Sequence, residues 1–392
     1  VRIAIVHHWF VTRGGGERVA ECIASLFPQA EMFTLVASPA GTPKSIEGRR
    51  WHTSFLQKLP FARTHHRHFF PLYPAATESL DLRGFDLVLS SDSGPVKGVR
   101  LDPGARHICY CHSPMRYLWD GFAEYRRAMG AVTGTAFTLA APRVRKWDAA
   151  AAKNVTWFVA NSAYVAERVA RCYGRDAVVI PPPIDLHRAE GVRGEVPCDH
   201  YLCAGRLVSY KRTEILVEAC RTLGRRLRVV GAGPELARLQ ALAGPQALAG
   251  GDPRIEFVGE LSTADLWREF ARCRALLFAA DEDFGMIPLE AQACGRPVIA
   301  YGAGGSLETV RGHGPQATGA YFTEQTADSV AEAIMRWERE GEAGFLADDA
   351  RAWAEGFRTE LFLERYREFV LRHVPEAAVG AMSVSAAMEA MG

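Results

Sequence analysis

The 392-residue chain is long enough for two domains of ordinary size, and its 48% hydrophobic and 23% charged content is that of a soluble globular protein. No apolar run approaches the ~20 residues of a membrane span, and no nucleic-acid partner is expected. The net charge of +1 hides an asymmetry: residues 1–180 hold 23 Lys and Arg against 14 Asp and Glu, about +9, and the remainder 23 against 31, about −8.

Eight of the twelve histidines also lie in the basic half. Such a half suits an anionic surface or acceptor; equally, opposite charges would draw two domains together. Both readings stand on the sequence.

Arg2-Ile-Ala-Ile-Val6 reads as a first strand, so the chain is expected to open on folded structure and not on a secretory leader. His7-His-Trp-Phe-Val-Thr-Arg13 then leads to Gly14-Gly-Gly16 and a helical run from Glu17 to Phe27. A glycine-rich turn from strand to helix is a ready anion site, because the free N–H groups at the helix start point at the ligand. The turn is not G-x-G-x-x-G, which makes a nicotinamide dehydrogenase the weakest reading. Glu31–Val36 is a second strand.

From Trp51 to Pro74 basic and aromatic residues interleave, with Arg63, His65, His66, Arg67 and His68 at the centre. Such a stretch suits an acceptor or an anionic membrane surface, since cations meet headgroups while aromatics enter the interface. A helix pair with a solvated basic face is the bland alternative. Phe85–Ser90, Arg106–Cys111 and Thr156–Ala160 are further strands. Cys109 and Cys111 read as core. The nine cysteines have no repeated metal spacing, so reduced thiols and a cytosolic compartment are expected. Pro114 stops the strand before it and leaves His112 at a strand's carboxyl end, where open α/β sheets bind ligands. Asn161-Ser162 caps a helix to about Cys172.

Pro181-Pro-Pro183 is the clearest boundary, and the polar, irregular stretch to residue 198 suits a hinge. Beyond it, His200–Ala204, Leu227–Val230, Arg254–Val258, Leu276–Ala280 and Pro297–Ala300 alternate with helical runs, which argues a parallel, doubly wound sheet. Gly231-Ala-Gly233 is a tight turn, because Leu236 occupies the place of a fingerprint's third glycine. Gly205-Arg206-Leu-Val-Ser-Tyr-Lys211-Arg212 precedes a helix. Cations there oppose the helix dipole and call for a compensating anion, of which a diphosphate is a natural example; pairing with Glu214 is the structural alternative. Gly302–Glu308 is another loop into a helix start. Helical runs at 327–340, 346–355 and 358–373 close the chain, and the Ala- and Met-rich tail is expected to be loosely held.

Asp281-Glu-Asp-Phe-Gly-Met-Ile-Pro-Leu-Glu290 follows the apolar run at Leu276. Glu282 sits on the loop leaving the strand and Glu290 one turn into the next helix. The N–H groups of Phe284, Gly285 and Met286 are free to face a ligand. Taken locally, Glu290 could merely complement the helix dipole and Glu282 be a solvated acid.

Several stretches in one order carry a family resemblance: Ala4–Trp9 with Gly15-Gly-Glu-Arg18, Thr53–Pro60, Tyr110–Tyr117, Ala160–Ser162, Gly205–Arg212, Glu282–Glu290 and Gly304–Thr309. Together, from about Val1 to Arg372, the chain resembles bacterial family 4 retaining glycosyltransferases, in the mannosyltransferase-like branch that builds O-antigen and exopolysaccharide. The resemblance implies the α/β GT-B fold, two Rossmann-like, doubly wound parallel-sheet domains facing a central cleft. Residues 1–180, completed by a returning helix at about 358–373, would form the acceptor side; 181–198 would be the hinge, 199–357 the nucleotide-sugar domain and 374–392 a tail. Asp281-Glu-Asp283 has the form of the DxD metal motif of a different glycosyltransferase fold. That reading is rejected, since the loop is otherwise accounted for, and no metal or other cofactor is expected. Cys203-Ala-Gly205 stands before Arg206 where the resemblance implies a mix of serine and glycine, and reads as a tolerated strand end.

Residue by residue, the resemblance implies that Arg206 and Lys211 neutralise the donor diphosphate and that Glu290 bonds the ribose. Glu282, with backbone from Phe284 through Gly285 and Met286 to Ile287, holds the donor sugar. Gly15 and Gly16 close over the phosphates, and His112 stands near the anomeric centre or a sugar hydroxyl. The implied reaction moves mannose from GDP-mannose to a lipid-linked saccharide, such as a polyprenyl-diphosphate-linked one, or to a glycan, in the cytoplasm at the inner face of the membrane. A UDP-sugar or another GDP-hexose is the nearest alternative. A sugar-nucleotide epimerase or hydrolase, or a non-enzymatic sensor, is the alternative of another class.

Overall fold

The computed structural model describes residues 1–244 and 254–391. The chain divides into two compact units, Val1–Pro183 joined by the chain from Thr359 onward, and Ile184–Arg358.

The first unit is built on strands β1 (Ile3–Phe10), β2 (Glu31–Ala37), β3 (Trp51–Thr53), β4 (Leu87–Asp92), β5 (Arg106–Cys111), β6 (Trp157–Ala160) and β7 (Ala177–Val179). They pair in parallel in the order β3-β2-β1-β4-β5-β6-β7. Parallel sheets are covered on both faces, which is why β1 reads Ile-Ala-Ile-Val without alternation. One face packs on helices Gly15–Leu26 and Thr359–His373 through Val19, Ile23, Phe362 and Tyr366; the other lies under Phe70, Tyr73, Phe137 and Val144. Ser162 caps the helix Ala163–Tyr173 as expected, its hydroxyl accepting from the Val165 N–H at 3.0 Å.

The second unit holds β8 (Tyr201–Ala204), β9 (Leu227–Val230), β10 (Ile255–Gly259), β11 (Ala275–Phe278), β12 (Val298–Tyr301) and β13 (Gly319–Phe322), parallel in the order β10-β9-β8-β11-β12-β13. In each unit the strand order reverses once, between β1 and β4 and between β8 and β11. Open α/β sheets bind ligands at the carboxyl ends of the strands at such a reversal. Two parallel α/β units are the architecture the sequence implied.

Four expectations need correcting. The strand expected to stop at Val6 runs on to Phe10, carrying His7 and His8 inside the sheet. The stretch 184–198 is not irregular throughout: His187–Glu190 is a helical turn, Ile184 and Ala189 are buried in the second unit's core beside Trp267 and Phe270, and the Ile184 N–H donates to the Phe357 carbonyl at 2.9 Å. The tail beyond residue 373 is not loose. Val384, Ala387, Met388 and Met391 recur at i, i+3, i+4, i+7, an apolar stripe that packs with the first unit's core, while the Met382 N–H bonds the Leu26 carbonyl at 2.9 Å. Finally, His66 does not join the basic surface of Arg63, His65, Arg67 and His68. Those four are exposed, whereas His66 is buried with its ring 4.6 Å from that of Trp9.

Candidate active site

In the second unit, β8 ends at Ala204 and the chain turns through Gly205, whose φ of +132° favours glycine. A side chain there would meet Ile287 Cδ1 at 3.2 Å. Arg206 follows, exposed, and among the described residues its guanidinium has no hydrogen-bond or ion-pair partner. One turn on, Lys211 reaches across to Glu282 on the loop after β11, where its Nζ hydrogen-bonds Glu282 Oε1. Burial pulls the Lys211 ammonium down; the Glu282 carboxylate more than offsets this, so its pKa stands above the ordinary value. The Nζ also lies 5.6 Å over the Phe278 ring and 5.9 Å over that of Tyr210. The Glu214 alternative falls to Arg212, whose Nε donates to Glu214 at 2.7 Å. A cavity of about 10 Å³ lies between Gly205, Arg206, Lys211 and Thr213 on one side and Phe278 to Ala280 on the other.

The helix Met286–Ala293 opens at Gly285, with φ +93° and no side-chain cap, so its first N–H groups stay available to a ligand. Pro288 is its third residue, still among the positions whose N–H has no partner inside a helix. Phe284 turns its ring inward to 5.8 Å from Phe357, so only its backbone remains for a ligand; Met286 and Ile287 stay partly exposed. Glu290 lies one turn in. Burial pushes its carboxyl up to about 7, with Arg188 lowering it and Asp185 raising it. Among the described residues its carboxylate has no hydrogen-bond partner.

Two glycine pairs hold these loops together and were not counted among the site residues. A Cβ on Gly231 would stand 2.0 Å from the Gly205 carbonyl oxygen, and one on Gly233 2.1 Å from that of Leu207. A Cβ on Gly304 would meet Asp281 Oδ1 at 2.4 Å, and one on Gly305 the Phe284 Cα at 2.3 Å; the Gly305 N–H donates to the Glu282 carbonyl at 2.8 Å. Glycine next to an aligned loop was the available signal. What the sequence did not reveal is which loop each glycine faces.

The first unit gathers a second set at its own reversal point. The helix Gly15–Leu26 starts without a side-chain cap, and a Cβ on Gly16 would lie 3.4 Å from His7 Cε1 and 3.7 Å from His112 Nε2. His112 follows β5 directly; burial, with His7 adding, pushes its imidazole down to about 3. Ser91, paired with His7 in the sheet register, bridges the two rings. His7 and Ser91 were missed because His7 lay beyond the expected strand end and Ser91 one residue past the next. The patch residues Arg63, His65, Arg67 and His68 belong to separate turns, Ala62–His65 and His66–Leu72, with Phe61 beside them 73% exposed. Among the described residues, no group of three or more His, Cys, Asp or Glu is arranged to hold a metal ion, and no helix is long and apolar enough to cross a membrane.

Residues 199–355 match the family model described as Glycosyl transferases group 1, and residues 13–188 that of Glycosyltransferase Family 4. A GDP-mannose-dependent alpha-(1-6)-phosphatidylinositol monomannoside mannosyltransferase of Mycobacterium tuberculosis is 32% identical over 220 residues, 50% of this chain and 54% of that protein. The lipopolysaccharide core biosynthesis mannosyltransferase LpsB of Rhizobium meliloti is 33% identical over 173 residues, 41% and 48% respectively. The chain thus spans about half the length of the curated relatives it matches. Among solved structures, Anabaena HepE in complex with UDP and glucose superposes with a TM-score of 0.66 at 18% identity, covering 94% of this chain and 98% of that one. A lipopolysaccharide outer core galactosyltransferase, WaaB, gives 0.62 at 17%, covering 95% and 100%. At such identities the likeness is one of fold.

Proposed function

We propose that this chain, which has the two-domain GT-B glycosyltransferase fold and matches glycosyltransferase models in both halves, is a retaining transferase that moves mannose from GDP-mannose to a lipid-linked saccharide or glycan. The observation that carries the reading is the juxtaposition, at the β8–β11 reversal, of Arg206, unpaired among the described residues, and a charged Lys211 with the carboxylate of Glu282. Two cations suit a diphosphate; a carboxylate suits sugar hydroxyls. The mannosyl assignment draws on the two curated relatives.

In this reading Arg206 and Lys211 stabilise charge growing on the diphosphate as the sugar leaves, the protein's largest contribution. The acceptor oxygen forms its bond to the anomeric carbon on the face where the bond to phosphate breaks, and a phosphate oxygen takes the proton. No protein base or metal takes part. The N–H groups from Phe284 to Ile287 and the carboxylate of Glu282 hold the sugar, while Gly15, Gly16 and His112 serve the donor from the first unit. Glu290 accepts hydrogen bonds from the ribose.

The ribose role has a pH signature. Hydrogen bonds from ribose hydroxyls favour the carboxylate, while burial favours the acid up to about pH 7. Nucleotide affinity therefore falls as pH drops below about 7 and levels off above it, and binding releases a proton. Calorimetry in buffers of different ionisation enthalpy measures both. Glu290→Gln abolishes the slope; a slope that survives removes Glu290 from the ribose.

Calorimetry with GDP-mannose, GDP, UDP-glucose and UDP, with and without chelator, tests the whole reading. Tight, chelator-insensitive binding of the GDP compounds supports it. A preference for UDP compounds keeps the site and overturns the mannosyl assignment, and product formed without any acceptor points to an epimerase or hydrolase. The exposed Arg63, His65, Arg67 and His68, with Phe61, form the surface we assign to anionic lipid at the inner face of the membrane. Replacing the four cations by Ala lowers co-sedimentation with phosphatidylglycerol vesicles; unchanged binding returns the stretch to a solvated face.

A further inference from the structure

We infer that Ser91 and His7 are positioning residues that hold His112 in a single neutral tautomer, with its Nδ1–H left to donate a hydrogen bond to an oxygen of the ligand. The assignment follows from counting protons. His7 Nδ1 lies 2.8 Å from the Ser91 carbonyl oxygen, and a carbonyl can only accept, so that nitrogen carries the hydrogen. The same nitrogen is 3.1 Å from Ser91 Oγ, which therefore accepts there as well. The single Ser91 hydroxyl proton is then free to be given away. Its two candidate acceptors are His112 Nε2 at 2.8 Å and the Gly16 carbonyl at 3.5 Å, and the shorter wins. With Nε2 accepting, a neutral imidazole must carry its proton on Nδ1. Among the described residues, Nδ1 of His112 has no hydrogen-bond partner.

The surroundings keep the ring in place and uncharged. The backbone N–H of His112 donates to the Asp92 carbonyl at 2.8 Å, and its backbone carbonyl accepts from Asn161 Nδ2 at 3.0 Å. The groups that face the cluster are His8, whose ring lies 4.1 Å from that of His7, Glu17, whose Oε1 is 4.0 Å from His7 Nε2, and Tyr110, whose ring is 5.1 Å from that of His112. Burial and the neighbouring His7 hold His112 well below neutrality. A base would need a free ring nitrogen facing the substrate. Here the lone pair of Nε2 is spent on Ser91, and the open nitrogen offers a proton. His112 is thus a donor, suited to a sugar hydroxyl or a phosphate oxygen. The identity of that ligand rests on the glycosyltransferase reading; the tautomer does not.

The test is therefore made first without substrate. In the full chain labelled with ¹⁵N-histidine, long-range ¹H–¹⁵N correlation spectra report the tautomer of each ring, with His112→Gln identifying the resonance. The expected spectrum shows His112 protonated on Nδ1 alone throughout the neutral range. Ser91→Ala turns it into a mixture and lowers kcat about tenfold, the worth of one hydrogen bond, with KM for the donor little changed; Ser91→Thr restores both. Protonation on Nε2 in the unaltered protein, or a tautomer indifferent to Ser91→Ala, overturns the inference. The expected tautomer in a chain that binds no nucleotide sugar leaves the inference standing and removes the transferase reading instead.

Discussion

Lys211→Ala lowers turnover by about 10²–10³-fold while the fold survives, the usual consequence of removing one charge aimed at a developing anion. Three observations set the size of the effect. The ammonium is largely withdrawn from water, at 14% side-chain exposure, so its field is poorly screened. It is held charged by Glu282 despite burial. Beyond Lys211, Arg206 is the cation of the Gly205–Arg212 stretch left without a partner among the described residues, and it is exposed, so it replaces only part of the lost field. Because the charge on the leaving diphosphate grows during reaction, kcat falls more than donor affinity. The substitution also strands Glu282, which keeps 19% side-chain exposure and so still reaches water, so the stability loss is modest. A thermal melt and a turnover assay on Lys211→Ala and on Lys211→Ala/Glu282→Gln separate the two effects. The double variant regains stability and stays inactive. Near-normal turnover in either removes the diphosphate role.

How far the site was legible depended on whether its logic is local. Arg206 and Lys211 became candidates by a rule that acts within one turn, cations that oppose a helix dipole; Glu282 and Glu290 straddle a strand-to-helix loop, a local pattern that left a structural reading open, and the family resemblance made them candidates. Strand alternation with helices likewise gave the parallel sheets, since buried parallel strands are unbroken apolar runs. The losses came where the decisive neighbour is remote in sequence. His7 and His8 look like a polar break after Val6, yet they lie in β1 because the parallel register extends through His7 opposite Ser91 and on toward Phe10 opposite Ala37. β3 and β13 are edge strands of three and four residues, too short to carry a periodic signal. The tail did carry a helical stripe, at Val384, Ala387, Met388 and Met391, but small and flexible side chains made it look like filler until the core beside helix Gly15–Leu26 was in view. Residue His66 left the basic surface for the same reason, since the ring it packs against, Trp9, is on strand β1, remote in sequence.

Glu282→Gln has opposite effects on the two parts of the donor: nucleoside diphosphate binds about tenfold more tightly, and transfer from the nucleotide sugar falls about 10–100-fold. The reason lies in a contest for one ammonium. In the structure Lys211 is neutralised by Glu282, so a diphosphate must displace a carboxylate to gain the cation. The exposed Arg206 offers a first hold that needs no such exchange. Once Lys211 turns to the diphosphate, Glu282 is released with its acceptor oxygens unsatisfied, and sugar hydroxyls supply the missing donors. Its backbone cannot follow, because the Gly305 N–H holds its carbonyl and a Cβ on Gly304 would already overlap it. In the proposed reading, diphosphate recognition and sugar recognition are thereby coupled through one side chain that changes partners. A glutamine keeps the shape and surrenders the charge, so it frees Lys211 for the diphosphate and weakens the grip on the sugar. Calorimetry with GDP and GDP-mannose, alongside a turnover assay, measures both arms. A parallel loss in both marks Glu282 as a structural partner of Lys211 alone, and unchanged values in both remove the exchange altogether.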